Sequence, residues 1–426
     1  MSEFDRIIGY ETIKDELRQI CDMIHHPEVY GKLGASMPRG LLLYGDPGLG
    51  KTLMARAFIE ESGLRAFTVR RDSSDGEFIN SIAAAFRAAE EAAPSIVFLD
   101  DMDKFANEDE FHRDAEEYVA VQAGIDSVKN SGVFVIATVN CIRSLPDSLV
   151  RPGRFDRKIE VLCPTDRDAE KIVEHYLAEK PVADDVNMQD VCKMMSYSSC
   201  AELETILNEA AIGAGYARRE KIGTADIVKA VLRMQYDCPD DYSRTSGRHL
   251  KEIALHEAGH LVACEVLCPG SVGLASVRST GRDTTGGFIH ACEELPVAEH
   301  NIIVSLAGKA AVELYCSESC AGGCDDDIYK AYNQIRENPS TNSSHGFGLV
   351  EVSNHTICDL SQSFIERNEA VVQAELERYM FRTRDILIKH RTFLEQAAAA
   401  LEERSTLLHS DIAKLREAYM AQKEAS

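Results

Sequence analysis

The chain has 426 residues, enough for two to four domains at roughly 100–200 residues each. Its 70 Asp and Glu against 46 Lys and Arg give a net charge of −24, which argues against a general binder of nucleic acid or anionic lipid. Hydrophobic residues at 45% and charged residues at 27% are globular proportions, and no run of 18 apolar residues reads as a transmembrane helix.

Residues 1–6 are polar and acidic, unlike a secretory signal. Thirteen scattered cysteines read mainly as free thiols of a reducing, cytoplasmic compartment. The first chemistry appears after Leu41-Leu42-Leu43-Tyr44, a buried-strand pattern. Gly45-Asp46-Pro47-Gly48-Leu49-Gly50-Lys51-Thr52 follows, and a helical pattern begins at Leu53. Strand, glycine loop and helix is the P-loop arrangement. Its backbone N–H groups curl around phosphate, and the helix N-terminus favours an anion. Lys51 is expected to reach the β- and γ-phosphates of ATP, and the Thr52 hydroxyl to bind Mg²⁺.

A second apolar run, Ser95-Ile96-Val97-Phe98-Leu99, ends at Asp100, the expected Mg²⁺ carboxylate. Asp101 stands where a water-orienting base is usual, one methylene shorter than glutamate. A third run, Val133-Phe134-Val135-Ile136-Ala137, ends at Thr138-Val139-Asn140. Asn140 either helps to position the attacking water or is a plain strand end. Arg151-Pro152-Gly153-Arg154-Phe155-Asp156-Arg157 is too basic and short for core; it is a solvated turn or a functional loop.

In this order the motifs resemble those of an AAA+ ATPase. The resemblance implies an α/β P-loop domain, a parallel sheet with flanking helices, followed by a helical lid. Phe4-Asp5-Arg6-Ile7-Ile8-Gly9 resembles the segment lining the adenine pocket, so Ile8 and Gly9 join the expected ATP contacts. Arg151 and Arg154 look like arginine fingers that act on a neighbouring subunit's nucleotide, which implies a homo-oligomeric ring, typically a hexamer. Residues 200–211 resemble the lid helix, with Cys200-Ala201-Glu202 where the family usually has Gly-Ala-Asp. The boundaries expected are 1–163 for the large ATPase subdomain and 164–237 for the lid.

Residues 238–248 read as a polar linker, and 249–426 as a second, mainly α-helical domain. His256-Glu257-Ala258-Gly259-His260 lies in a helical stretch. Helical positions i and i+4 share a face, so both imidazoles can bind one Zn²⁺. Glu257 is the candidate general base for the attacking water. A catalytic zinc needs a third protein ligand. Cys264 continues the series but lies about 12 Å from His256 along the axis, too far for one small shell. Asp325-Asp326-Asp327 precedes another helical segment; the three acids either supply a ligand or complement the helix dipole.

HEAGH after an AAA+ module resembles the FtsH family of ATP-dependent zinc metalloproteases. The resemblance spans nearly the whole chain and implies Asp327, before Ile328, as third metal ligand. It implies an endopeptidase acting on polypeptides delivered by the ring. Gly286-Gly287-Phe288-Ile289-His290 looks like the edge strand beside the metal, where an extended substrate can add. Cys316, Cys320 and Cys324 recur every four residues, as a second metal or redox site or as three free thiols. The stretch from Ser361 to Gln422 reads as helical throughout.

Three departures stand out. The family's N-terminal membrane anchor is missing, which suggests a soluble member or a shortened chain, membrane-anchored in the latter case. Asp101 replaces the usual glutamate, which points to slow hydrolysis. The pore-loop region from Arg70 to Phe78 is short and charged, with Phe78 its one aromatic candidate. The alternative reading is therefore a nucleotide-gated assembly or remodelling module with weak or no threading.

Overall fold

The structure, a computed structural model, describes residues 2–71, 78–106, 115–151, 153–238, 248–280, 286–316, 324–337 and 362–424. It divides into two compact units, Met1–Lys180 with Tyr197–Leu207, and Pro181–Ser196 with Asn208–Ser426. The stretch 164–237, expected as a separate lid, contributes to both.

The first unit is built on five parallel strands: β1 (Gly40–Tyr44), β2 (Arg65–Val69), β3 (Ser95–Leu99), β4 (Val133–Val139) and β5 (Arg157–Glu160). Their order is β2-β3-β4-β1-β5. Parallel strands covered on both faces need unbroken apolar runs, and the runs at 41–43, 95–99 and 134–139 are fully buried. Helices Lys51–Ser62, Phe78–Glu91 and Ala115–Ser127 connect successive strands. The register pairs Tyr44 with Val139 and Leu99 with Ala137. The P-loop, Asp100 and Asn140 are therefore brought to one edge of the sheet, at the strand C-termini where such folds bind ligands.

One residue of the expected pore loop is placed differently. Phe78 is 7% exposed and begins the helix Phe78–Glu91. Its ring stands edge-on to Phe105 at 5.2 Å, packed with Ile82 and Phe86 in the core. It fills the core rather than a pore. Residues 72–77 of that loop lie outside the described residues.

In the second unit the HEAGH helix is Arg248–Leu267, and helices Ala298–Tyr315, Asp325–Glu337, Gln362–Lys389, Arg391–Arg404 and His409–Glu424 follow. A three-stranded antiparallel sheet accompanies them, in the order β7 (Phe288–Ala291), β6 (Val272–Ser276), β8 (Thr406–Leu408). Strand β8 corrects the all-helical expectation for the C-terminal stretch. Ser405 adopts φ 63°, ending its helix, and Leu407 is buried where it pairs with Ala275. Three residues are too few to display a two-residue period. The expected linker falls mostly on residues 239–247, outside the described residues. No helix of the described residues is long and apolar enough to cross a membrane.

The HEAGH helix lies close against Ala298–Tyr315. A Cβ on Gly259 would stand 2.4 Å from the Ala307 carbonyl oxygen and 2.7 Å from the Ala311 Cβ. Glycine there costs intrinsic helix stability, and the close packing offsets it. Gly259→Ala is expected to destabilise the second unit by about 1–3 kcal/mol, because the obstacle is backbone that cannot rotate away. Thermal denaturation reads this as a lowered Tm; an unchanged Tm would contradict the packing.

Candidate active site and nucleotide site

In the second unit, one turn of helix places His256 and His260 side by side, with Nε2 to Nε2 at 3.0 Å. Asp327, in the first turn of Asp325–Glu337, brings its Oδ2 to 3.1 Å from His256 Nε2 and 3.3 Å from His260 Nε2. The three donor atoms lie within 4.8 Å of one another, the one such group among the described residues. His260 Nδ1 donates to the Val304 carbonyl at 2.7 Å, which leaves the Nε2 lone pair facing inward.

Gly308 makes this convergence possible. A Cβ at that position would sit 2.5 Å from His256 Nε2 and from His260 Nε2. Two imidazoles and a carboxylate, with a glycine holding the space beside them, are a donor set suited to Zn²⁺. Sequence reasoning missed Gly308, since a glycine inside a helical pattern reads only as a weak point.

Burial works against charge on His256, but the Asp327 carboxylate outweighs it and raises the imidazole to about 8. Burial alone would raise Asp327, yet the two histidines hold it well below the usual carboxylate range. Glu257 is 4% exposed, and burial pushes its carboxyl up. The Gly287 backbone N–H reaches that carboxyl and opposes the shift. A cavity of about 760 Å³ joins these groups to Gly286, Phe288 and Ile289. Among the described residues, strand β7 forms the edge of its sheet, the position at which an added strand can pair.

Cys264 is 1% exposed within the apolar core, where burial pushes its thiol up to about 12. Its sulfur does not join the converging donor atoms of His256, His260 and Asp327. Cys320 lies outside the described residues, and neither Cys316 nor Cys324 joins a metal-binding group.

In the first unit, the P-loop glycines 45, 48 and 50 all have positive φ. Gly45 is confined further: a Cβ would meet the Val161 carbonyl oxygen at 2.0 Å. Lys51 Nζ donates to the carbonyls of Gly45 and Asp46 at 2.6 and 2.7 Å, curled into the loop that it would serve. Thr52 Oγ1 and Thr138 Oγ1 both donate to Asp100 Oδ1 at 2.9 Å, fixing the hydroxyl and carboxylate expected at Mg²⁺. A cavity of about 360 Å³ is lined by Ile8, Tyr10, Leu49, Leu53, Tyr176 and Cys200 among others, an apolar slot beside the loop. Gly9, at φ 71°, packs against Asp168, while Asp46 and Pro47 are exposed at the loop's tip.

The remaining expected residues are placed unevenly. Asp101 adopts φ 53° and pairs with Lys104 at 2.7 Å. The Asn140 backbone N–H donates to Asp103 Oδ2 at 3.0 Å, while the buried Asp103 Oδ1 finds no hydrogen-bond partner among the described residues. Asp103 was not singled out from the sequence; its only signal is a third acid just after Asp100. Arg154 is 6% exposed and donates to Asp126 at 3.2 and 2.7 Å and to the Ser148 carbonyl. Its guanidinium is thus paired within its own chain, whereas Arg151 is exposed.

Residues 41–162 match the family described as ATPase family associated with various cellular activities (AAA). The chain is 30% identical to the ATP-dependent zinc metalloprotease FtsH of Ruminiclostridium cellulolyticum, over 86% of this chain and 61% of that protein. It is 28% identical to FtsH 2 of Sphaerobacter thermophilus, over 95% of this chain and 64% of the relative. FtsH 3 of Symbiobacterium thermophilum is also 28% identical, over 97% of this chain and 71% of the relative. The chain thus spans less than two thirds of the length of the first two. It carries an AAA domain and is a relative, over most of its length, of the FtsH zinc metalloproteases.

Proposed function

We propose that this chain is an ATP-dependent zinc endopeptidase, in which a homo-oligomeric AAA ring, typically a hexamer, delivers polypeptide to the HEAGH site. The observation that carries this reading is the convergence of His256, His260 and Asp327 beside a buried Glu257. Those three side chains would hold Zn²⁺, which supplies Lewis-acid polarisation of the scissile carbonyl and of the attacking water.

The chain's own residues do the rest. Glu257 takes the proton of the attacking water and hands it to the leaving amine, and its raised proton affinity suits that task. Strand β7 pairs with the extended substrate through its backbone, beside the cavity that contains Glu257. Lys51 and the P-loop backbone hold the ATP phosphates. Thr52 and Asp100 hold Mg²⁺, and the slot beside Ile8 and Tyr10 takes the adenine. Arg151, exposed directly after the helix Asp147–Val150, is offered to a neighbouring subunit's nucleotide.

The second reading is a nucleotide-gated assembly or remodelling module with slow hydrolysis. It is favoured by Asp101, whose carboxylate is paired with Lys104. A hundredfold rate loss on the order of that caused by a 1 Å misplacement would follow if that pair persists with nucleotide bound.

Glu257→Gln is expected to retain zinc and to lose cleavage of unfolded casein by about 10²-fold or more. Zinc content by atomic absorption and a casein assay read the two halves; undiminished cleavage would remove Glu257 from the chemistry. Arg151→Ala is expected to lower ATPase activity by on the order of 10³ while leaving ATP affinity unchanged. Equilibrium binding of a fluorescent ATP analogue checks this; a loss of affinity with normal turnover would place Arg151 in its own subunit's pocket.

A further inference from the structure

The two ligand histidines are supported from behind by different atoms. His260 Nδ1 donates to a backbone carbonyl, that of Val304, at 2.7 Å. His256 Nδ1 faces the sulfur of Cys324 at 3.8 Å. Both Nε2 atoms are turned toward Asp327. With Nε2 committed to a metal, the ring proton of each histidine sits on Nδ1, and the group behind it must accept.

Cys324 suits that place by position as well as by distance. It is buried and immediately precedes the helix Asp325–Glu337. Its carbonyl accepts from the Ile328 N–H at 3.0 Å, which fixes the residue to the helix's first turn. The same turn carries Asp327. One short stretch, 324–327, therefore presents a carboxylate to the inner nitrogen of His256 and a sulfur to the outer one.

We infer that Cys324 is a positioning residue of the metal centre: its sulfur accepts the Nδ1 proton of His256 and so fixes that ring's tautomer and plane. The inference rests on the zinc reading of the site. It gives the cysteine at 324 a role distinct from ligation, because its sulfur stands behind the ring rather than at the converging donor atoms. A sulfur acceptor is longer and softer than the carbonyl behind His260. The His256 ligand is consequently held less firmly than His260, and its geometry depends on a thiol.

The test uses the full chain, stripped with a chelator. Zn²⁺ is titrated back against a chromophoric chelator, and Co²⁺ is added separately for its visible absorption. Cys324→Ala is expected to weaken zinc about tenfold and to alter the Co²⁺ spectrum, in the range typical of lost outer-shell partners. Cys324→Ser, which keeps an acceptor, is expected to recover most of that affinity. Melting temperatures of the metal-free proteins are expected to match. Wild-type affinity and an unchanged Co²⁺ spectrum in Cys324→Ala would overturn the inference while leaving the zinc reading intact. Equal losses in both variants, accompanied by a lower melting temperature, would assign the effect to packing and also overturn it. A wild-type chain that takes up no zinc would overturn the zinc reading, and this inference with it.

Discussion

The second unit depends on how closely two helices approach. Arg248–Leu267 and Ala298–Tyr315 meet through Gly259 on one side and Gly308 on the other, and neither position has room for a Cβ. Gly259 lets the backbones come together. Gly308 then leaves a hollow where the paired imidazoles of His256 and His260 sit. The Val304 carbonyl, one turn earlier on the same helix, orients His260. Helix packing and ligand geometry are thus set by one interface. Side chains carried on packed helices keep their rotamers more firmly than side chains on loops, which suits the proposed metal site.

The first unit solves a different problem with the same economy. Its parallel sheet brings three strand ends into register, so residues separated by many tens of positions meet along one edge. Asp100 is held there by two hydroxyls, from Thr52 and Thr138. The carboxylate is thereby placed before any ligand arrives. Preorganisation of this kind removes the cost of reorienting groups at the moment of reaction. The acids that follow are less uniform: Asp101 is tied to Lys104, and Asp103 keeps one buried oxygen that has no hydrogen-bond partner among the described residues.

Much of this was legible in the sequence where a local period carries the chemistry. The P-loop is a contiguous run between a strand and a helix, and HEAGH states its geometry through the i, i+4 repeat. Asp327 was less so: it lies 67 positions after His260, and only family resemblance preferred it over a helix-dipole role. Contacts between distant positions stayed hidden. Arg154 reads as a free finger until the structure pairs it with Asp126. Phe78 reads as a loop aromatic until the core claims it. Gly308 and strand β8 left no usable signal, the first because glycine in a helix looks like weakness, the second because three residues show no period. Close approach and burial are properties of the fold, not of the local string.

Two histidines and one aspartate, and no sulfur, are proposed to hold the metal. Zinc-edge X-ray absorption on the zinc-loaded chain reads this directly. Nitrogen and oxygen neighbours alone are expected, at about 2.0–2.1 Å, with scattering from two imidazole rings beyond them. A sulfur neighbour at about 2.3 Å would contradict it, because Cys324 or Cys264 would then be a ligand.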